Sequence, residues 1–151
     1  MSKKWTDDAV LVGNMAQRLV ETLPLFPKRF VRVDELVRQQ KMPFSHLQIL
    51  IMLEEGDLSI GQISARLGIA KPNITPLVDR LFESGYVDRQ HDENDRRVVN
   101  IVLLPAGEEK LAAIRATIAR QIQVQSEDLS VTEFRELNDS LASLVRILSS
   151  L

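Results

Sequence analysis

The sequence contains no cysteine, one tryptophan, one tyrosine and two histidines in 151 residues. The missing thiol is the most restrictive of these, because it excludes disulfides, thiolate metal sites, cysteine nucleophiles and thiol redox sensing. His46 and His91 do not stand in metal-ligand spacing with each other, so a zinc centre has little to be built on. There is no G-x-S-x-G elbow, phosphate-binding glycine loop or paired histidine and nucleophile; neither an enzymatic activity nor a cofactor is expected. No stretch approaches the about 20 apolar residues a bilayer span requires. The N-terminal MSKKWTDDAV has no unbroken apolar run of the secretory kind, which makes the cytoplasm the expected location and a membrane an unexpected partner. An excess of positive charge is lacking too. With a net charge of -2 and a pI near 5.7, the chain is not built to coat nucleic acid electrostatically, so any nucleic-acid site must be a local patch.

What is present is an ordinary globular composition, 44% hydrophobic and 26% charged, enough for one compact domain or two small lobes. Three serines stand three residues before a Gln or Glu: Ser45 with Gln48, Ser59 with Gln62 and Ser130 with Glu133. Each pair predicts a capping box, in which the serine oxygen accepts an orphan N–H of the first turn and the Gln or Glu reaches back to the serine's own N–H. A first helix is expected from Thr6 as N-cap, carrying Leu11, Met15, Leu19 and Leu23 at helical spacing until Pro24 and Pro27 interrupt it. The pattern resumes through Phe30, Val33, Leu36 and Val37. Gly68 suits a left-handed cap after the helix that Ser59 opens. From Tyr86 the period changes to two: Tyr86–Gln90 and Val98–Leu103 read as antiparallel strands around the polar tip HDENDRR. Pro105 fits the first position of a further helix with the stripe Leu111, Ile114, Ile118 and Ile122. A last helix carries Phe134, Leu137, Leu141, Leu144 and Leu148.

The expected fold is therefore mainly α with a small β-hairpin: a winged helix-turn-helix lobe over residues 44–104, flanked by helices over 6–42 and 105–151. In such a lobe the second helix enters the major groove and the hairpin reaches toward a minor groove. A wing tip entering the minor groove calls for an arginine, drawn by the negative potential there, with a carboxylate holding the guanidinium in pose. Arg97 with Asp95 two residues earlier has this form, and Arg96 suits a phosphate. On the second helix, 100° per residue puts Ile74, Leu77, Val78, Leu81 and Phe82 on an inward arc and Pro72, Pro76, Asp79, Arg80 and Glu83 outward. Asn73 suits adenine, Arg80 guanine or phosphate, Thr75 a base edge or phosphate, Lys71 a phosphate, and Pro76 a thymine methyl. Asp79 either repels phosphate or pairs with Arg80, Arg66 or Arg89. The helix starts either with Pro72 at its first position, which is preferred, or with Asn73 as N-cap. The cluster Lys28, Arg29, Arg32, Arg38 and Lys41 reads as a solvated face rather than a phosphate track.

The runs QISARLGIAKPNITPLVDRLFESGYVDR (Gln62–Arg89) and DENDRRVVNIVLLPAGEEKL (Asp92–Leu111) resemble the MarR family of bacterial transcriptional regulators, most specifically in Asp95-Arg96-Arg97 and Pro105-Ala106-Gly107. Leu104 departs from the family's usual threonine, and the resemblance extends through the flanking helices. It implies a homodimer formed by those helices, a pseudo-palindromic double-stranded DNA operator with half-sites about 34 to 36 Å apart or a multiple of that, and, as in many members, release by a small aromatic effector. A winged-helix module that binds protein rather than DNA is the alternative, kept open by the acidic pI and by Asp79 and Glu83 on the outward face.

Overall fold

In the computed structural model, which describes residues 4–150, a 3-10 turn at Trp5–Asp7 precedes α1 (Ala9–Thr22), α2 (Leu25–Arg29), α3 (Val33–Gln40) and α4 (Phe44–Leu53). A short strand β1 (Leu58–Ser59) leads into α5 (Ile60–Leu67) and α6 (Lys71–Glu83), then β2 (Val87–His91) and β3 (Val99–Leu103) form the hairpin, and α7 (Pro105–Gln125) and α8 (Val131–Leu148) close the chain. The boxes at Ser59 and Ser130 form as expected: Gln62 and Glu133 donate their N–H to the serine oxygens at 3.2 Å in both cases, and their side chains accept the serine N–H at 2.9 Å. The box at Ser45 does not form. Pro43, with an extended ψ of 149°, takes the N-cap position, and its carbonyl accepts from the His46 and Leu47 N–H groups, which moves Ser45 inside the first turn. The first helix also starts later than expected. Thr6 lies in the 3-10 turn, and Asp8 caps α1 by accepting from the Leu11 N–H at 3.0 Å.

The sheet has three strands in the order β1-β3-β2, one more than the hairpin read from the sequence. A two-residue strand has no period to read; β1 exists because Leu58 and Ser59 pair with Ile101 and Asn100. In the hairpin, Val87 faces Leu103, Arg89 faces Ile101 and His91 faces Val99. Ile101, wholly buried, is thus flanked on both sides. Beneath it lie Leu47, Ile49, Leu50, Ile63, Ile74, Val78 and Leu81, each exposed by 1% or less. At about 25 cal/mol per Å² of apolar surface removed from water, this layer is the main source of the lobe's stability.

The chain divides into two compact units, residues 32–119 and the segments on either side of them. The first is wider than the 44–104 lobe inferred from the motifs because α3 is tied to α7: Gln40 Nε2 donates to Thr117 Oγ1 at 2.7 Å, and Lys110 Nζ donates to the Gln40 carbonyl at 2.7 Å. Among the described residues, every buried apolar side chain lies between Leu36 and Ile114. The second unit contains α1, α2, α8 and the end of α7. Within it Ser126 Oγ donates to the Arg29 carbonyl at 2.9 Å, and Arg29 pairs with Asp128 at 3.7 Å. No residue of α1 or α8 is buried.

Two positions in the first unit are under unusual constraint. The start of α7 runs so close to the sheet that a Cβ on Gly107 would lie 2.3 Å from the Tyr86 carbonyl oxygen and 2.5 Å from Leu103 Cδ1. Leu104 gives this helix start a carbonyl, accepting from the Glu108 N–H, but no side-chain cap, while its own N–H donates to Tyr86. His46 is 5% exposed with both ring nitrogens unpartnered, and burial, aided by the charge of Arg80, pushes its pKa below the ordinary histidine value.

Replacing Gly107 by alanine is expected to destabilise the lobe by about 2 kcal/mol through overpacking against backbone, read as a lowered midpoint in urea unfolding. Because the unfolded chain takes up a proton at His46 more readily than the folded one, stability should be full at neutral pH and fall as pH drops below about 6.5. His46→Leu removes that part of the pH dependence without loss of stability at pH 7; thermal unfolding at both pH values compares the two, and an unchanged acid sensitivity would remove His46 from the account.

Candidate nucleic-acid interface

The turn between α5 and α6 is short because Gly68, at φ 64°, ends α5 in the left-handed region and returns the chain at once. Ser64 Oγ donates to the Ile69 carbonyl at 2.6 Å and fixes that turn. Ala70 is the N-cap of α6, so Lys71 occupies the first helical position and Pro72 the second. Neither expected register is the observed one: the helix begins one residue before the preferred start. Pro72 loses nothing, since the N–H groups of the first turn have no helical acceptor. Pro76 lies inside the helix and removes the N–H that would bond the Pro72 carbonyl.

Ile74, Val78 and Leu81 face the core, with Leu77 half-buried. Of the residues placed outward by the helical angle, Pro72, Pro76, Arg80 and Glu83 are exposed and Asp79 is half-buried; Lys71, Asn73 and Thr75 are exposed as well. Lys71 extends its Cε and Nζ over Gly61, where a Cβ would approach Cε to 3.3 Å. Thr75 Oγ1 donates to the Lys71 carbonyl at 3.2 Å, which leaves its oxygen lone pairs to accept from a ligand.

Phe82 departs from the expected inward arc and is 44% exposed. At the arc's edge it meets the Arg89 guanidinium, centred 5.2 Å from its ring, rather than the core. Arg89 also ion-pairs with Asp79. Of the partners open to Asp79 in the sequence, Arg89 is thus the one it takes, and β2 is tied to the outward side of α6 by one charged pair and one ring contact.

At the wing tip, Arg97 donates from Nε to Asp95 Oδ1 at 3.1 Å and from Nη2 to Oδ2 at 3.3 Å, while its backbone N–H donates to Oδ1 at 3.1 Å. These bonds, side chain first, hold the Asp95 carboxyl below the usual range. The Arg97 side chain is 91% exposed, so the pair fixes a guanidinium that points into solvent. Arg96 is exposed beside it, and its carbonyl accepts from His91 Nδ1 at 2.9 Å, which sets the protonated nitrogen of that imidazole. Of the basic cluster outside the lobe motifs, Arg29 pairs with Asp128 and Arg32 with Glu35, both at 3.7 Å.

Sequence reasoning missed Asp92 and Asn100. Asp92 Oδ2 accepts from the Asn94 and Asp95 N–H groups at 3.2 and 3.1 Å, and Asn100 Nδ2 donates to Asp92 Oδ1 at 3.3 Å. The available signal was an aspartate two to three residues before the tip's turning point, the pattern of a side chain that bonds backbone ahead of it.

The MarR family's sequence profile matches residues 44–99, which span α4 to the start of β3. The uncharacterized HTH-type transcriptional regulator YsmB of Bacillus subtilis (strain 168) is 32% identical over 93 residues, covering 62% of this chain and 64% of YsmB, just under two thirds of that relative. The HTH-type transcriptional repressor MdtR of the same organism is 29% identical over 109 residues, covering 69% of this chain and 70% of MdtR. Among solved structures, the transcriptional regulator Tm0710 from Thermotoga maritima superposes with a TM-score of 0.67 and 26% identity, over 91% of this chain and 96% of that one. By name these relatives are regulators of transcription. The profile match falls on the helix-turn-helix and wing, so residues 44–99 match the MarR family of transcriptional regulators, and the superposition extends to the flanking helices.

Proposed function

We propose that the protein acts as a dimeric repressor that binds pseudo-palindromic double-stranded DNA and is released by a small-molecule effector. The single observation that carries the DNA-binding part is the wing arginine. Arg97 is almost wholly exposed yet held by a two-pronged carboxylate contact, so a minor groove meets a cation already in pose. Lys71 and Arg96 serve phosphates; Asn73, Thr75 and Arg80 read base edges; Pro76 offers an apolar surface to a thymine methyl. The protein-interaction alternative is not favoured, because the relatives are named as transcriptional regulators.

Dimerisation is supported by what the second unit leaves uncovered. On α1 and its C-cap, Leu11, Met15, Leu19 and Leu23 are each more than half exposed, and on α8 Phe134, Leu141, Leu144 and Leu148 are 38–57% exposed. Two stripes at helical spacing, on helices without one buried residue, are the surface a second copy covers, and two-fold pairing then duplicates α6 and the wing. MdtR's name supports repression as the sign of control. With thiol chemistry excluded by composition, a non-covalent small molecule is the trigger most in keeping with the chain.

Titration of promoter DNA at several salt concentrations tests the reading. Three cations per subunit, Lys71, Arg96 and Arg97, make six in the dimer, and log K is expected to fall with log salt at a slope of about -5. Arg97→Ala should weaken binding at least about tenfold with the dimer intact by sedimentation. A flat salt response, or unaltered affinity in the variant, overturns it.

A further inference from the structure

We infer that Asp92, an acidic residue on the surface that approaches DNA, is a positioning residue for Arg97 and raises DNA affinity despite its charge. The inference rests on the DNA-binding reading above. An arginine that is 91% exposed at the tip of a loop ordinarily samples many rotamers, and ordering it on DNA costs side-chain entropy. Asp95 restricts the guanidinium, but only if the Asp95 backbone is itself fixed.

The fixing group is the Asp92 carboxylate. One oxygen, Oδ2, accepts from two successive residues of the tip, the Asn94 and Asp95 N–H groups at 3.2 and 3.1 Å. The other, Oδ1, accepts from Asn100 Nδ2 at 3.3 Å. Asn100 lies on β3, paired with Gln90 on one side and Ser59 on the other, so it belongs to the rigid sheet. The base of the tip is closed by two backbone bonds, Asp92 N–H to the Val98 carbonyl and Val98 N–H to the Asp95 carbonyl, both 2.9 Å. A continuous set of hydrogen bonds therefore runs from β3 through Asn100 and Asp92 to the backbone of Asp95, and through the Asp95 carboxylate to Arg97. Glu93, the next residue, makes none of these bonds and supplies the same charge without the role.

Charge and positioning make opposite forecasts, which is what makes the inference testable. Removing a carboxylate near phosphate tightens binding if charge alone matters. Asp92→Ala is instead expected to weaken DNA binding about tenfold, whereas Glu93→Ala leaves it unchanged or tighter. Asp92→Asn, which keeps an oxygen for the two N–H groups, should restore most of the affinity, and Asn100→Ala should lose about threefold. In the Arg97→Ala background, Asp92→Ala should cause no further loss, because the residue acts through the arginine. A readout without DNA separates this inference from the function it rests on: the Arg97 Nε–H resonance in the free protein should be distinct in the wild type and collapse toward the position of exposed arginines in Asp92→Ala, with the thermal midpoint unchanged. If Arg97→Ala does not affect DNA binding, the functional reading fails, whatever the resonance does. If Arg97→Ala weakens binding while Asp92→Ala binds as tightly as wild type or loses affinity additively with it, or if the resonance is unmoved, the inference is overturned.

Discussion

Everything the surface of α6 offers depends on the burial of three side chains, Ile74, Val78 and Leu81, each exposed by 1% or less. They lie four and three residues apart, on one helical stripe, and their contact with the layer under Ile101 fixes the rotation of the helix about its own axis. Once that rotation is set, Asn73, Thr75, Pro76 and Arg80 have no choice but to face solvent. Turning the helix by one residue would drive Arg80 toward the core and expose an isoleucine, a change opposed by both desolvation and lost burial. Arg89 adds a second fastening at the outer edge, where it meets Asp79 and Phe82 and ties the helix to the strand leading into the wing.

For the proposed DNA binding, a protein with net negative charge has to deploy its cations selectively. In this lobe the carboxylates do that: Asp79 holds Arg89, and Asp95 holds Arg97, with Asp92 behind it. Acidic residues that look adverse in the sequence serve as supports for basic ones, and their charge is locally neutralised or hydrogen-bonded. The acidic pI is therefore compatible with a DNA-facing surface whose positive charge is concentrated at few points.

The parts of this arrangement that were legible in the sequence are those with a local signature. The capping boxes at Ser59 and Ser130, the left-handed Gly68, the stripe of α6, the two-residue period of the hairpin and the Asp95–Arg97 pair each follow from short-range chemistry. Elsewhere a competing neighbour or a distant partner overrode the local signal. Pro43 displaced the Ser45 box and Asp8 replaced Thr6 as a cap, each from two residues away, whereas β1 formed only because β3 lay alongside it. Phe82 looked like core by angle, but its position at the edge of the stripe placed it beside Arg89, a residue from another element. Asp92 was passed over because its partners include Asn100, across the hairpin; Gly107 was noticed as a motif, while the reason for it, the Tyr86 carbonyl, is visible only in three dimensions.

The central claim is that α6 and the wing engage adjacent grooves of one DNA duplex, twice per dimer. Hydroxyl-radical footprinting on a promoter fragment, which reports minor-groove accessibility, tests it most directly. The account predicts two minor-groove protections symmetric about the operator's dyad, flanking major-groove contacts one helical turn or a multiple of it apart, with the minor-groove signal selectively lost in Arg97→Ala. A single unpaired protection, or a minor-groove footprint unaltered by that substitution, would contradict it.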